Sequence, residues 1–511
     1  MIFAAIDVGS YELSMKIFEV TARKGIRELD YLRHRIDLGT KTYATGKMDS
    51  DQVDELSRVL IDFKKTMGLY GVTHYRAYGT SALRETDNIL LVLDQIANRT
   101  GIHIDVLSNS EQRFLDYKSI ALKNDDFAKI IEDPTAIVDI GGGSIQISLF
   151  DNDKLVATQN MKLGVLKLRQ TLGSLNVTFR RFPEMIKEIA GAQLSVFSKL
   201  YLKDKKFKNL IIIDDYVSPV MQRMDLGWLS PGYAVGNKFK EFVEKTGALP
   251  KDEIARKLNI TEDNISLMYI SGLLIRNIHE TLGTELLWAP GVTLCDGIVY
   301  EYADKKNLIE IKHDFEADII ACAGNISKRY MGSKSRSETL QMISLLIFDR
   351  MKKSYGLGKR ERLLLQIAAI LHDCGKYISL VNLGDCSYNI IMSTEIIGLS
   401  HREREIVANV VRFNHEPFEY YGNNPARYSN LDHDSYLVIA KLTAILWLSS
   451  GLDRTHKQKF RNVAVSLHEN ELLITADTME DITIERELFP SRADFFEEIF
   501  GVRPIIKQKR I

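Results

Sequence analysis

Cysteine is scarce: the 511 residues hold four, Cys295, Cys322, Cys374 and Cys386, with no Cys-x-x-Cys pair among them. That spacing excludes a disulfide framework and a thiolate zinc site, and four reduced, mostly packed thiols are expected. Net charge is almost absent as well. With 67 basic and 68 acidic side chains the balance is −1, so nothing global draws the chain to nucleic acid or an anionic membrane. Any polyanion must meet a local basic surface. No long uncharged apolar run is there to span a bilayer. The start, Met1-Ile-Phe-Ala-Ala-Ile-Asp7, has no basic region before its apolar stretch and meets an acid at position 7, unlike a secretory leader. A cytoplasmic protein without a nucleic-acid or membrane partner is the expectation. What is there is an ordinary globular composition, 45% hydrophobic and 26% charged, in a chain too long for one core.

The front half contains a repeat. Ile2-Phe-Ala-Ala-Ile-Asp7-Val-Gly9-Ser10 is an apolar run closing on an acid and a glycine, and Ala136-Ile-Val-Asp139-Ile-Gly141-Gly142-Gly143-Ser144 repeats that design. After each turn the residues alternate as a half-buried return strand does, Leu13-Ser-Met-Lys-Ile-Phe18 and Ile145-Gln-Ile-Ser-Leu-Phe150. Each copy reads as a β-hairpin whose turn carries an acid and glycines. Backbone N–H groups cradle a phosphate only where no Cβ blocks the approach or forbids positive φ. An aspartate at the strand end can hold a hydrated magnesium ion or a water beside it. Two such turns facing each other would clamp a phosphate chain. Between them, Ala77-Tyr-Gly-Thr80-Ser81-Ala82-Leu83-Arg84-Glu85 places hydroxyls and an arginine after a strand. A Ser or Thr there can cap a helix starting near Ala82, and a helix N-terminus beside an arginine suits an anion.

These residues carry a resemblance. Asp7-x-Gly9-Ser10, the Thr80 to Glu85 block with Asn88, and Asp139 to Ser144 resemble the three front motifs of the exopolyphosphatase/guanosine pentaphosphate phosphatase family, in the same order and at the family's spacing. Met161-Lys-Leu-Gly164-Val165-Leu166-Lys-Leu168 is similar to that family's glycine segment after the second hairpin. The resemblance implies an α/β fold of two RNase H-like lobes, the actin-like ATPase superfold, with the phosphate site in the cleft between them. It implies Mg2+-dependent removal of a terminal phosphate from inorganic polyphosphate or guanosine pentaphosphate. Asp139 and Asp7 would hold Mg2+. Gly9, Ser10, Thr80, Ser81, Gly141, Gly142, Gly143 and Ser144 would bind phosphate oxygens, and Arg84 would neutralise charge developing in transfer.

The family's catalytic glutamate lies in a Ser-Gly-x-Glu-Glu-Ala-Arg segment, and the corresponding stretch here is Ser108-Asn109-Ser110-Glu111-Gln112-Arg113. Without a gap Glu111 matches the first glutamate and Gln112 replaces the catalytic second. With a one-residue deletion Glu111 is the catalytic one, and Glu111 is taken as the expected base. Tyr11 stands in place of a small amide, and Ile145-Gln146 in place of Thr-Glu. Leu210-Ile-Ile-Ile-Asp214-Asp215-Tyr216 lacks the glycines of the nucleotide-side turn, and its two acids read as a solvated strand end. Exopolyphosphatase is therefore the leading expectation. Guanosine pentaphosphate phosphohydrolase and a polyphosphate-binding regulatory protein are the alternatives.

From about Asp314 the periodicity becomes helical, and the apolar Arg360–Leu371 stretch runs into His372-Asp373. This pair resembles the HD superfamily signature, but Thr339, Cys386, Asn414 and Ser450 occupy the other ligand positions. A working metal centre is not expected there. Basic residues at Lys328 to Arg336, Lys352-Lys353, Lys359 to Arg362, and Arg402 with Arg404 could guide an anionic chain. A hairpin around Glu469-Asn470, a helix over Glu485–Phe500 and a basic strand Ile505–Ile511 end the chain. The expected domains are residues 1–125 and 126–312 for the lobes, 313–458 for an all-α HD-like domain and 459–511 for a small α/β cap. A homodimer is the expected assembly.

Overall fold

Seven apolar-rich residues, Ile2–Val8, form β1, and with β2 (Glu12–Thr21) they make the hairpin that the Asp7-Val-Gly9 pattern indicates. The structure, a computed structural model, describes residues 1–152, 154–202, 205–310, 313–352, 354–421 and 431–509, the side chains of 124–126 excepted. Lys353 of the expected basic surface and Arg510 and Ile511 of the expected last strand lie outside the described residues. The chain forms two compact units, Met1–Phe315 and Glu316–Ile511.

In the first unit β3 (Gly25–Arg35) extends the hairpin, and β4 (His74–Gly79) and β5 (Asp105–Val106) add on the other side of β1. The sheet order is β3-β2-β1-β4-β5. A second sheet repeats the plan. Here β6 (Thr135–Ile140), β7 (Ile145–Asp151) and β8 (Lys154–Met161) form the meander, with β9 (Asn209–Asp214) parallel to β6. With β10 (Tyr233–Val235) and β11 (Leu286–Trp288) its order is β10-β11-β9-β6-β7-β8. In both sheets the strand bearing the aspartate pairs antiparallel on one side and parallel on the other, so it is central. The sequence repeat is thus a repeat of topology, and the two RNase H-like lobes of the actin-like ATPase superfold are present. Each lobe has its own apolar core, one around Ile6, Leu56 and Phe63 and one around Val138, Leu210 and Leu273.

The Asn109–Ile120 helix is 12 residues long, poor in apolar side chains, and nonetheless has nine of them buried, Arg113, Asp116 and Lys118 included. Buried polar groups must find partners, which makes this helix the element that carries a site. It packs on the Leu294–Lys305 helix across Gly297, where a Cβ would come within 2.0 Å of the Leu115 carbonyl oxygen.

The second unit contains the helices Lys334–Met351, Lys359–Leu371, Leu383–Ser393, His401–Phe413 and His433–Leu452. The last is long and apolar enough to cross a bilayer by composition, yet 78% of its apolar window is buried inside the fold, as befits a core helix. A three-stranded sheet follows, with β12 (Val463–His468) antiparallel and β14 (Arg503–Lys509) parallel to β13 (Glu471–Asp477). The single helix expected over Glu485–Phe500 is in fact two, Thr483–Leu488 and Pro490–Phe500. Pro490 has no N–H to continue the first helix and suits the start of the second.

Gly297→Ala should push the Asn109–Ile120 helix off its neighbour. The expected cost is about 1–3 kcal/mol, read as a lower midpoint in denaturant unfolding. An unchanged midpoint would show that the helix crossing has slack.

Candidate active site

The two glycine turns close alike: Gly9 N–H donates to the Glu12 carbonyl at 3.1 Å and Gly141 N–H to the Ser144 carbonyl at 3.0 Å. None of Gly9, Gly141, Gly142 and Gly143 is among the glycines with positive φ, so the left-handed conformation allowed for in the sequence reading is not what they supply. They supply clearance. A Cβ on Gly9 would lie 2.6 Å from the Glu12 carbonyl oxygen and one on Gly142 2.8 Å from Leu166 Cδ1. A Cβ on Gly164 would lie 2.2 Å from the Gly142 carbonyl oxygen. That contact brings the Val165–Ser174 helix onto the loop, where Val165 and Leu166 N–H groups donate to the Gly141 and Gly142 carbonyls at 3.1 and 3.0 Å. A trans peptide with its carbonyl bound on one side presents its N–H on the other. The Gly142 and Gly143 amides are therefore aimed away from the helix.

Ser10 Oγ, Ser81 Oγ and the Tyr43 hydroxyl meet in a triangle of 2.8, 2.8 and 2.6 Å contacts. Gly142 and Gly143 approach this group, since ideal Cβ atoms on them would sit 3.3 Å from Ser10 Cβ and 3.4 Å from Ser81 Cβ. The predicted phosphate residues Ser10, Ser81, Gly142 and Gly143 thus come together. Thr80 does not cap: the Ser81–Arg84 helix is a single turn without a side-chain cap, and Thr80 Oγ1 turns to the Val8 carbonyl at 3.4 Å. Arg84 also has a different task. Its Nη1 donates to the Leu107 carbonyl at 2.7 Å and its Nη2 to Asn109 Oδ1 at 3.0 Å, so it ties down the entry of the Asn109–Ile120 helix.

Asp139 in β6 is 7% exposed. One of its oxygens forms an ion pair with Arg113, whose Nη2 also reaches the Ser144 carbonyl at 3.1 Å and Ser144 Oγ at 3.4 Å. Asp116, one turn further along the helix, hydrogen-bonds to Asp139, and burial followed by the Asp139 charge holds its carboxyl well above the usual carboxylate range. Asp116 is then the protonated partner and donates its O–H. Asp7 is raised as well, by burial first and then by Asp215 and Glu12. Asp215 is pushed up to about 7 by its deep setting and then by Glu12 and Asp214; its side chain lines the cleft and is open to water there, so screening softens its charge. Acids outnumber the guanidiniums among them.

Asp7 Oδ1 and Asp139 Oδ2 are both buried without a hydrogen-bond partner. Hard carboxylate oxygens left unpaired within an acidic pocket suit a divalent cation. These two oxygens would supply at most part of a magnesium shell, with water completing it, since among the described residues no group of three His, Cys, Asp or Glu side chains converges to hold a metal.

Glu111 is not free to act as expected. Ser108 caps the helix, and the Glu111 carboxylate accepts the Ser108 N–H at 2.9 Å while Glu111 N–H donates to Ser108 Oγ, a complete capping box. Such a box needs Ser and Glu three apart, which favours the ungapped correspondence. Gln112 then takes the next position, and its Oε1 is buried and unpartnered. Gln146 is buried and donates to Ser148 Oγ at 3.4 Å. Tyr11 lies between two guanidiniums, Arg35 at 4.9 Å and Arg169 at 5.1 Å from its ring centre. Asp214, expected at a solvated strand end, is buried: it accepts N–H bonds from Tyr216 at 2.8 Å and Ser218 at 3.4 Å and the Ser271 hydroxyl at 2.6 Å. Sequence reasoning missed Arg113, Asp116 and the cleft arginines Arg33 and Arg35. The signal for the first two was charge on a helix already marked as catalytic.

In the second unit His372 is wholly buried, its Nδ1–H donating to the Ala369 carbonyl at 2.9 Å. Two of the positions where HD ligands would fall bond to each other instead, Ser450 Oγ to Asn414 Oδ1 at 2.7 Å. Among the described residues no group of three His, Cys, Asp or Glu side chains converges to hold a metal.

The profile of the Ppx/GppA phosphatase family matches residues 16–306, and that of Ppx/GppA phosphatase, domain III matches residues 321–489. A guanosine-5'-triphosphate,3'-diphosphate pyrophosphatase of Photobacterium profundum is 20% identical over 497 residues, covering 93% of this chain and 91% of that protein. Its counterpart in Vibrio atlanticus is 20% identical over 414 residues, covering 80% of each. The solved exopolyphosphatase of Cytophaga hutchinsonii aligns over 60% of this chain and 98% of its own with a TM-score of 0.51 at 16% identity, a likeness of fold.

The capping role separates Glu111 from a base. Glu111→Gln keeps the box and should leave turnover within about twofold, whereas Glu111→Ala should cost about 1 kcal/mol of stability. A large loss of turnover in Glu111→Gln at unchanged stability would restore it as the base. Burial holds the His372 imidazole down to about 3, so it stays neutral in the folded chain while the unfolded chain takes up a proton below about 6.5. Its contribution to stability is complete above that pH and declines as pH falls toward 3. We expect a loss on the order of 3 kcal/mol by pH 4, with a shallower slope in His372→Asn, measured by denaturant unfolding across pH.

Proposed function

The chain belongs to the Ppx/GppA phosphatase family, and we propose that it hydrolyses the terminal phosphoanhydride of inorganic polyphosphate in the cleft between its two lobes. The observation that carries this reading is the meeting of the Gly142–Gly143 loop with the Ser10–Ser81–Tyr43 hydroxyls beside the unpaired oxygens of Asp7 and Asp139. Arg33 and Arg35 line the same cleft, each paired with a carboxylate, Arg33 with Glu12 at 2.7 and 2.8 Å and Arg35 with Asp263 at 2.6 Å, which a phosphate chain would have to displace. Asp214 is consumed in bonding its own loop, and the Leu210–Tyr216 segment has no glycine turn for a nucleoside phosphate. This favours polyphosphate over the guanosine nucleotide named for the relatives.

The amides of Gly142 and Gly143 and the hydroxyls of Ser10 and Ser81 bind oxygens of the terminal phosphate. Asp7 Oδ1 and Asp139 Oδ2 would hold Mg2+, which when bound supplies positive charge against the phosphate oxygens. Arg113, rather than Arg84, adds charge beside Ser144 where the transferred group sits. Gln112 Oε1 orients the attacking water by accepting a hydrogen bond. An amide oxygen does not retain the proton, so the proton leaves with product phosphate or solvent as the water oxygen bonds to phosphorus and the bridging P–O bond breaks. Such transfer depends mostly on positioning and electrostatics, so a weak base slows it without forbidding it. The products are orthophosphate and a chain shorter by one phosphate. A second reading, binding of polyphosphate without turnover, is favoured by Gln112 itself.

Purified protein with long-chain polyphosphate and Mg2+ should release orthophosphate, at least about 100-fold less in Asp139→Ala. Gln112→Glu should raise the rate about 10- to 100-fold by restoring a base. Tight binding with no release in either form would favour the binding reading. Faster release from guanosine pentaphosphate would assign the cleft to that nucleotide.

A further inference from the structure

A cluster of charged side chains is buried in the Glu316–Ile511 unit, and the chemistry of the cleft makes no use of it. Arg336, in the first turn of the Lys334–Met351 helix, belonged to the expected basic surface, yet it is 6% exposed. It pairs with His456 Nε2. Its Nε, 4.0 Å from Asp453 Oδ2, is buried without a hydrogen-bond partner. Arg492, on the Pro490–Phe500 helix, stacks over the Trp447 ring at 4.4 Å, and its Nη1 is likewise buried and unpartnered. Burial and then the Arg454 and Arg336 guanidiniums hold Arg492 down to about 10. Lys376 adds a further cation, 3.4 Å from Asp373. Lys459, paired with the wholly buried Glu485 at 2.9 Å, completes the group, and Arg336, Lys376, Arg454, Lys459 and Arg492 outnumber Asp373, Asp453 and Glu485. Crowded guanidiniums with unused N–H groups are relieved by an anion.

The same cluster has unused acceptors. His372 donates through Nδ1 to the Ala369 carbonyl, so its Nε2 carries a lone pair, and that atom has no hydrogen-bond partner, with Asp373 Oδ2 3.6 Å away. Asp373 Oδ1 is also unpartnered. A fully ionised anion would leave these acceptors facing a like charge, whereas a ligand with both charge and an O–H group satisfies donors and acceptors together. Arg454 and His456 are exposed, which leaves the cluster open to solvent on their side. We propose that this cluster binds a protonated phosphate group, free or at the end of a phosphate chain, with Arg336 Nε and Arg492 Nη1 donating to its oxygens and its P–O–H donating to His372 Nε2 or Asp373 Oδ1. The proposal is independent of the reaction in the cleft.

Trp447 gives a local signal. Titrating the intact chain with orthophosphate at neutral pH should give a saturable change in tryptophan fluorescence that is absent in Trp447→Phe. Arg492→Gln, at the edge of the cluster, should weaken it about tenfold or more while the melting profile stays cooperative. Arg336→Gln should do the same if it folds. Sulfate, which has no proton to donate at this pH, should bind at least about tenfold more weakly than phosphate. Tripolyphosphate binding tighter than orthophosphate would identify a chain end as the ligand, and the reverse order free phosphate. Sulfate binding as tightly as phosphate, unchanged phosphate affinity in Arg492→Gln, or no saturable signal below about 10 mM would overturn the proposal.

Discussion

The buried pair of Asp139 and Arg113 is the contact on which the rest of the first unit turns. Breaking a buried ion pair leaves a charge uncompensated and costs far more than the pair itself contributes, so the elements that carry the partners are bound to one geometry. Asp139 comes from the central strand β6, and Arg113 from a helix whose start is secured by the Ser108–Glu111 box and by Arg84. The pair also reaches the phosphate loop through Ser144. Arg113 and Asp116 together fix Asp139 to this helix.

The second unit uses the same device with a different result. Arg336 lies among Asp453, Asp373 and His372, in a helical domain where no working metal centre was expected. In both units a guanidinium stands next to buried aspartates. In the first, Asp7 and Asp139 keep oxygens free among surplus acids. In the second the cations are in surplus, and the free groups include guanidinium N–H. The ligands proposed for the two units follow the sign of the local surplus, a cation for the first and an anion for the second.

The duplicated hairpins were legible in the sequence because period-two alternation and a closing Asp-x-Gly are local signals, and each copy reinforces the other. The grouping of Ser10, Ser81 and Gly142 was legible only through motif order, since nothing local brings together hydroxyls 71 residues apart. The role of Glu111 was legible in principle. Ser-x-x-Glu before a helix is itself a capping signature, but the pull of a catalytic motif drew the assignment to the cleft. Arg336 was misread for the opposite reason. On sequence it is one of several basic residues, and only tertiary packing distinguishes a buried arginine from a solvated one.

Gln112 is where the strength of the phosphate site and the weakness of the base meet. A carboxylate at that position would join Asp7, Asp116, Asp139 and Asp215, all within reach of one another's charge. Three of these already have raised carboxyl groups, first because burial removes them from water and then because neighbouring acids oppose their ionisation. An additional acid would carry the same penalty unless a cation were bound. A neutral amide keeps a hydrogen-bond acceptor in the cleft without that cost. On the proposed function, the cleft keeps a buried acceptor that can orient water while giving up proton affinity, and that exchange avoids adding a further acid to an already acidic site.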